Sequence, residues 1–106
     1  MKEYRGHRNQ GVVVVTVDGR PLNPRFDLYN HNPNGFEWGY GGSGPAQLAL
    51  AIVADHTGDD DQALAIYQSF RFAVVAGLSE NGWTLTSREI NEAVQKIQDQ
   101  SLDSPN

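Results

Sequence analysis

The sequence predicts an α+β fold: a small N-terminal antiparallel β-sheet of 3-4 short strands followed by three α-helices in a single domain. Three observations carry that expectation. A β-branched run, VVVVTV at residues 12–17, meets Asp18-Gly19 at once, which reads as a strand entering a tight turn. A nearly all-apolar stretch at residues 46–54 follows Ser43-Gly44-Pro45, the chemistry of a helix start. Two further amphipathic stretches follow, each opened by capping residues. At 106 residues the chain is one domain on the usual length prior and is large enough for a hydrophobic core.

In chain order, the 12–17 strand is apolar throughout and is expected to be buried on both faces. Arg20-Pro21-Leu22 reads as a short return strand, with proline confining it to a strand start or an edge. Asn23-Pro24 and the run Asn30-His31-Asn32-Pro33-Asn34-Gly35 are loop chemistry, and Phe26 and Leu28 between them allow a short strand. Phe36, Trp38 and Tyr40 fall at period two, so an extended segment would point all three rings to one side.

Ser43 is the expected N-cap of the first helix, with Gln47 bonding back toward the helix start and Gly58 ending it. The lack of a polar face over 46–54 places this helix centrally. Asp59-Asp60-Asp61 opens the second helix as a capping cluster; Ala63, Tyr67, Phe70 and Val74 form its inner face, and Gly77 stops it. Phe72 lies on the opposite side, as a sheet contact or an exposed one. Trp83-Thr84-Leu85 is a short extended stretch. Thr86-Ser87-Arg88-Glu89 fits a capping box, and Ile90, Ala93, Val94 and Ile97 continue as one helical face. The domain is expected over residues 1–100, with 101–106 a disordered polar tail.

Composition narrows the function classes. The formal charge is −5, and it is uneven: residues 1–42 carry five basic and four acidic side chains, residues 43–106 three basic and nine acidic. An acidic helical half repels phosphate backbones, so nucleic acid is disfavoured and would have to use the N-terminal arginines. With no cysteine, disulfides, thiolate metal sites and a cysteine nucleophile are excluded. No stretch approaches the ~20 apolar residues of a bilayer span. The polar start MKEYRGHR lacks the apolar stretch of a signal peptide, so the expected location is cytoplasmic.

Candidate site residues cluster at the junction of the aromatic stretch and the first helix. Gly41-Gly42-Ser43-Gly44 runs into a helix N-terminus, where free N–H groups can hold a phosphate or carboxylate. It lacks the lysine of a Walker loop and the spacing of a dinucleotide fold; the plainer reading is a tight turn in which the glycines need positive φ or close packing. Ser43 reads as a cap rather than a nucleophile. His31 with Glu37 could move protons, whereas His7, His31 and His56 lack metal-site spacing. Phe36, Trp38 and Tyr40, with Tyr4 and Trp83, form either core or a stacking surface served by Arg5 and Arg8. The binding candidates are therefore Tyr4, Arg5, Arg8, His31, Phe36, Glu37, Trp38, Tyr40, Gly41, Gly42, Ser43, Gly44 and Gln47, with no catalytic set, metal or cofactor assigned.

The run FEWGYGGSGPAQLALA at residues 36–51 resembles the signature of a family of short bacterial, phage and plasmid proteins known only as a domain of unknown function. Tyr4-Arg5-Gly6 with Arg8, Asn30-His31-Asn32-Pro33, and Gly77-Leu78 with Gly82-Trp83-Thr84-Leu85 are similar to other parts of that family's pattern, so the resemblance covers residues 4–97. It implies a phage or mobile-element setting and no activity. Residues and resemblance together lead to the expectation of a non-enzymatic protein-binding or regulatory module with a protein partner. The alternatives are a small-ligand or enzymatic domain built on the glycine loop, and nucleic-acid binding through the N-terminal arginines.

Overall fold

A computed structural model describes residues 1–103, with side-chain surroundings through residue 100. The elements are β1 (Glu3–Asn9), β2 (Val12–Val17), β3 (Arg20–Pro21), α1 (Ser43–Thr57), α2 (Asp60–Ala73), a single 3-10 turn (Val75–Gly77), β4 (Gly82–Thr86) and α3 (Ser87–Asp103). The α+β expectation holds, with the fourth strand entering after the second helix. The sheet is antiparallel throughout in the order β3-β2-β1-β4.

Two tight hairpins build the sheet. Gln10-Gly11 and Asp18-Gly19 each place two consecutive residues at positive φ, the turn geometry that matches the twist of paired strands. The end of the first hairpin is fastened where Glu3 and Asp18 exchange hydrogen bonds: the Glu3 N–H donates to Asp18 Oδ1 at 2.8 Å, and the Asp18 N–H to Glu3 O at 2.9 Å.

Strand β1 itself is invisible to periodicity. Its inward positions are Tyr4, Gly6 and Arg8, opposite Val17, Val15 and Val13 of β2, and only Tyr4 is a large hydrophobe. Gly6 is a recess. The Trp83 indole of β4 lies across it so closely that any β-carbon there would overlap the ring. The helices cover one face of the sheet only. Val15 is therefore buried, whereas Val14 and Thr16 on the other face are half-buried and Val12 is exposed, which corrects the expectation of burial on both sides.

Helix α1 is the core. From Gly44 to Ala54 every residue is buried, as its lack of a polar face demands. Gly58 closes it in the left-handed conformation at φ 65°, its N–H donating to Ala54 O. Asp59 caps α2 by accepting from the Gln62 N–H at 3.1 Å. Helix α2 ends at Ala73 rather than at Gly77, the last stretch winding into the 3-10 turn. The capping box of α3 is present: the Thr86 N–H donates to Glu89 Oε1 at 3.0 Å, and the Glu89 N–H to Thr86 Oγ1 at 3.2 Å. Helix α3 continues to Asp103, past the expected domain boundary at residue 100; the rest of the expected tail, 104–106, lies outside the described residues.

The largest departure is residues 22–42, which contain neither of the two expected strands and connect β3 to α1 as irregular chain. The period-two reading of Phe36, Trp38 and Tyr40 fails for a physical reason. Gly39 adopts φ 87°, a turn rather than an extended step, and the rings part company: Trp38 is buried, Phe36 packs at the core's edge, and Tyr40 is 53% exposed.

Gly6→Ala should lower unfolding free energy by about 1–3 kcal/mol, the usual cost of overpacking a rigid site. Chemical denaturation measures it, and an unchanged midpoint would show that the indole can move away freely.

Candidate functional site

Irregular chain has to satisfy its backbone polar groups without a ladder. Gln47, fully buried on the first turns of α1, does this for residues 24–32. Its Oε1 accepts from the N–H of His31 at 2.7 Å and of Asn32 at 3.3 Å. Its Nε2 donates to Pro24 O at 2.7 Å and Tyr29 O at 3.0 Å. The expected bond from Gln47 to its own helix start is therefore replaced by four bonds to the loop. The helix start lacks a side-chain cap altogether: Gly42 is the N-cap, and Ser43, one residue inside, is exposed. The glycines here serve close packing, since none of Gly41, Gly42 and Gly44 has positive φ. A β-carbon at Gly44 would sit 2.6 Å from the Glu37 Cβ, and one at Gly42 would strike the Tyr40 ring.

The second anchor is Arg8. Its Nη1 and Nη2 donate to the two Glu37 carboxylate oxygens at 3.1 and 2.8 Å, and its Nε donates to Glu80 O at 3.1 Å. The guanidinium lies 4.6 Å from the Trp38 ring centre. Trp38 stands edge-on to Trp83, with ring centres 5.7 Å apart, and its Nε1 also donates to Glu80 O at 3.1 Å. Arg8 thus joins β1, the aromatic stretch and the chain before β4. The hydrogen bonds from Arg8 hold the Glu37 carboxyl below its ordinary range. Beside this clamp is an open cleft of about 530 Å³ lined by Arg8, Glu37, Trp38, Gly39, Tyr40, Leu78 and Glu80.

Arg5 is not part of this group. Three positions from Arg8 on a strand, it emerges on the opposite face and pairs with Glu3 at 2.5 Å. Tyr4 is wholly buried, its hydroxyl donating to Asp55 Oδ2 at 2.5 Å; burial, then that carboxylate, pushes its pKa up. With Tyr4, Trp38 and Trp83 buried, the five aromatics do not form one stacking platform.

What does reach the surface is a different aromatic set, two members of which lie outside the expected residues. The Tyr40 ring covers Gly42, and the Phe72 ring covers Gly41; they are 53% and 63% exposed. The Arg71 guanidinium lies over Phe72 at 4.2 Å, with Nη1 3.5 Å from Gly42 O. Along α2 the surface continues to Gln68, whose Nε2 donates to Tyr67 Oη at 3.0 Å. That hydroxyl is 2.6 Å from His31 Nε2, and the His31 ring stacks on exposed Tyr29 with centres 4.1 Å apart. Burial, and then the Arg71 charge, lower the His31 pKa, favouring the neutral ring whose Nε2 can accept the Tyr67 proton. Phe72 was legible in the sequence as an aromatic on the wrong side of the α2 wheel. Nothing in the sequence placed Tyr29 against His31 or Phe72 against Gly41.

Glu37 is engaged by Arg8 and His31 by Tyr67, and among the described residues no hydrogen bond joins His31, Glu37 and Ser43. The 530 Å³ cleft includes Glu37 alone of the three. Among the described residues no group of three or more His, Cys, Asp or Glu side chains is arranged to hold a metal ion, and no helix is long and apolar enough to cross a membrane.

A family model described as a family of unknown function (DUF6166) matches residues 4–96. No curated protein and no solved structure matches the chain.

Two pH measurements check this geometry. Glu37, with its folded pKa depressed, contributes stability that is present above its ordinary value near 4.5 and is lost as pH falls through the folded value. Glu37→Gln should therefore flatten the fall in stability below about pH 4.5, an effect of under about 1 kcal/mol for a pair this exposed; denaturant titrations at several pH values read it, and parallel acid limbs would disprove it. His31 should titrate below 6.5 by NMR, and Arg71→Gln should move its midpoint upward; no movement would mean that Arg71 does not act on the ring.

Proposed function

The chain belongs to this family of unknown function, and from that premise we propose that it is a non-enzymatic protein-binding module whose docking face is the Tyr40–Phe72 surface. One observation carries the reading: two large rings, each more than half exposed, lie over the adjacent bare glycines Gly41 and Gly42, with an arginine stacked on one of them, Phe72. Aromatics and arginine are the residue types that dominate the energetic centres of protein interfaces. Glycines beneath them make the floor thin and set the rings on the rigid start of α1. The engagement of the Glu37 carboxylate by Arg8 and of the His31 imidazole by Tyr67 favours binding over chemistry. The resemblance to short phage and plasmid proteins supports a regulatory role in that setting, with a protein of the host or of the element as partner. The negative net charge weighs against nucleic acid.

Pull-down from the native host, with nuclease treatment and mass spectrometry, tests this using wild type beside the Tyr40→Ala/Phe72→Ala double variant. A protein retained by wild type and lost by a double variant of unchanged Tm is expected, the loss being about tenfold or more in affinity. Equal capture by both baits would overturn the reading, and capture that disappears with nuclease would transfer it to nucleic acid.

A further inference from the structure

The docking face holds an unusual cation. Among the described residues Lys2, Arg5, Arg8, Arg25 and Arg88 each pair with a carboxylate. Arg20, Arg71 and Lys96 pair with none of the described carboxylates, and of these three Arg71 alone is half-buried, on a chain that carries more acidic than basic side chains. The Arg71 Nε is buried without a hydrogen-bond partner. Among the described residues the guanidinium has one hydrogen bond, from Nη1 to Gly42 O at 3.5 Å, the outer limit of such a bond. Phe72, at 4.2 Å, fixes the plane of the group. Partial removal of a guanidinium from water without an anion is costly. The fold has thus set a charge against the exposed Phe72 ring and left it without a carboxylate.

We propose that Arg71 receives a carboxylate of the partner protein: an aspartate or glutamate next to an apolar side chain, the acid on the outer edge of the guanidinium and the apolar group across Phe72 and Tyr40. This inference rests on the reading of the Tyr40–Phe72 surface as the docking face. Charge complementarity selects the occupant. The spot is positive on a negative protein, so a single carboxylate is attracted locally. A polyphosphate backbone would bring many charges against the acidic helical half. The planar fork suits a carboxylate in a side-by-side geometry.

Short random peptides displayed and panned against the full chain provide the probe. Selected peptides are then titrated calorimetrically against wild type, Arg71→Gln, Arg71→Lys and Phe72→Ala, each checked by thermal melting. The expected hits carry Asp or Glu within two positions of Leu, Ile or Phe. Changing that acid to its amide, or Arg71 to Gln, should weaken binding about tenfold or more, the size of a charged hydrogen bond. Arg71→Lys should recover part of the loss. Peptides that depend on Phe72 but are indifferent to Arg71→Gln would overturn the carboxylate while leaving the face intact. Peptides indifferent to both, or no selection at all, would overturn the face as well.

Discussion

One buried amide decides whether this fold has a usable surface. Residues 22–42 form a long irregular connection inside a small domain, and such chain is stable only if its polar backbone finds partners. Gln47 supplies them. Both lone pairs of its carbonyl and both of its N–H groups are engaged, which is all that a glutamine side chain can do. Because it rises from the most deeply buried helix, the loop inherits the rigidity of the core. Tyr29 and His31 are held by that one residue, which sets the His31 ring between Tyr29 and the Tyr67 hydroxyl of α2. An apolar replacement would fill the volume and leave four backbone groups without partners.

The second half of the connection is held differently, by stacking rather than by an amide. Trp83 lies in the recess at Gly6, Trp38 stands against Trp83, and Arg8 covers Trp38 while holding Glu37. Each layer depends on the one below it, and the lowest layer is a missing side chain. Beyond Trp38 the left-handed Gly39 turns the chain outward, so the next ring, Tyr40, leaves the stack and enters solvent. Core and surface therefore divide within three residues of the same aromatic stretch.

Much of the architecture was legible because helices and turns write their signals locally. Asp18-Gly19, Asp59, Gly58 and the Thr86–Glu89 box all act within four residues of themselves, and all appear as expected. What was not legible depends on contacts far apart in sequence. Strand β1 hides because its inward Gly6 and Arg8 are explained only by Trp83 and Trp38. The alternation of Phe36, Trp38 and Tyr40 imitated a strand because periodicity does not reveal that the intervening Gly39 turns. Gln47 looked like a local cap because its true partners lie 15 to 23 positions away. At the candidate site the glycine run, Tyr40, His31 and Gln47 were visible as chemistry, but their association with Arg71 and Phe72 exists only once α2 lies against the start of α1.

The capping box of α3 also has an effect on the sheet. The Ser87 N–H donates to Lys2 O in continuation of the β1–β4 ladder, so Trp83 and Leu85 turn their N–H groups toward β1, and Gly82, Thr84 and Thr86 turn theirs away. Of those three outward donors, Thr86 is taken by Glu89 and Gly82 by Ser79 O. The third, Thr84, has no partner among the described residues. On the opposite margin β3 is two residues long and ends in a proline. The lengths of edge left to a foreign strand are thus short, the stretch around Thr84 on one margin and the Val12–Val14 end of β2 beyond β3 on the other, which limits edge-to-edge aggregation. The docking proposed for the Tyr40–Phe72 face accordingly relies on side chains, because little sheet edge remains for a strand to pair with.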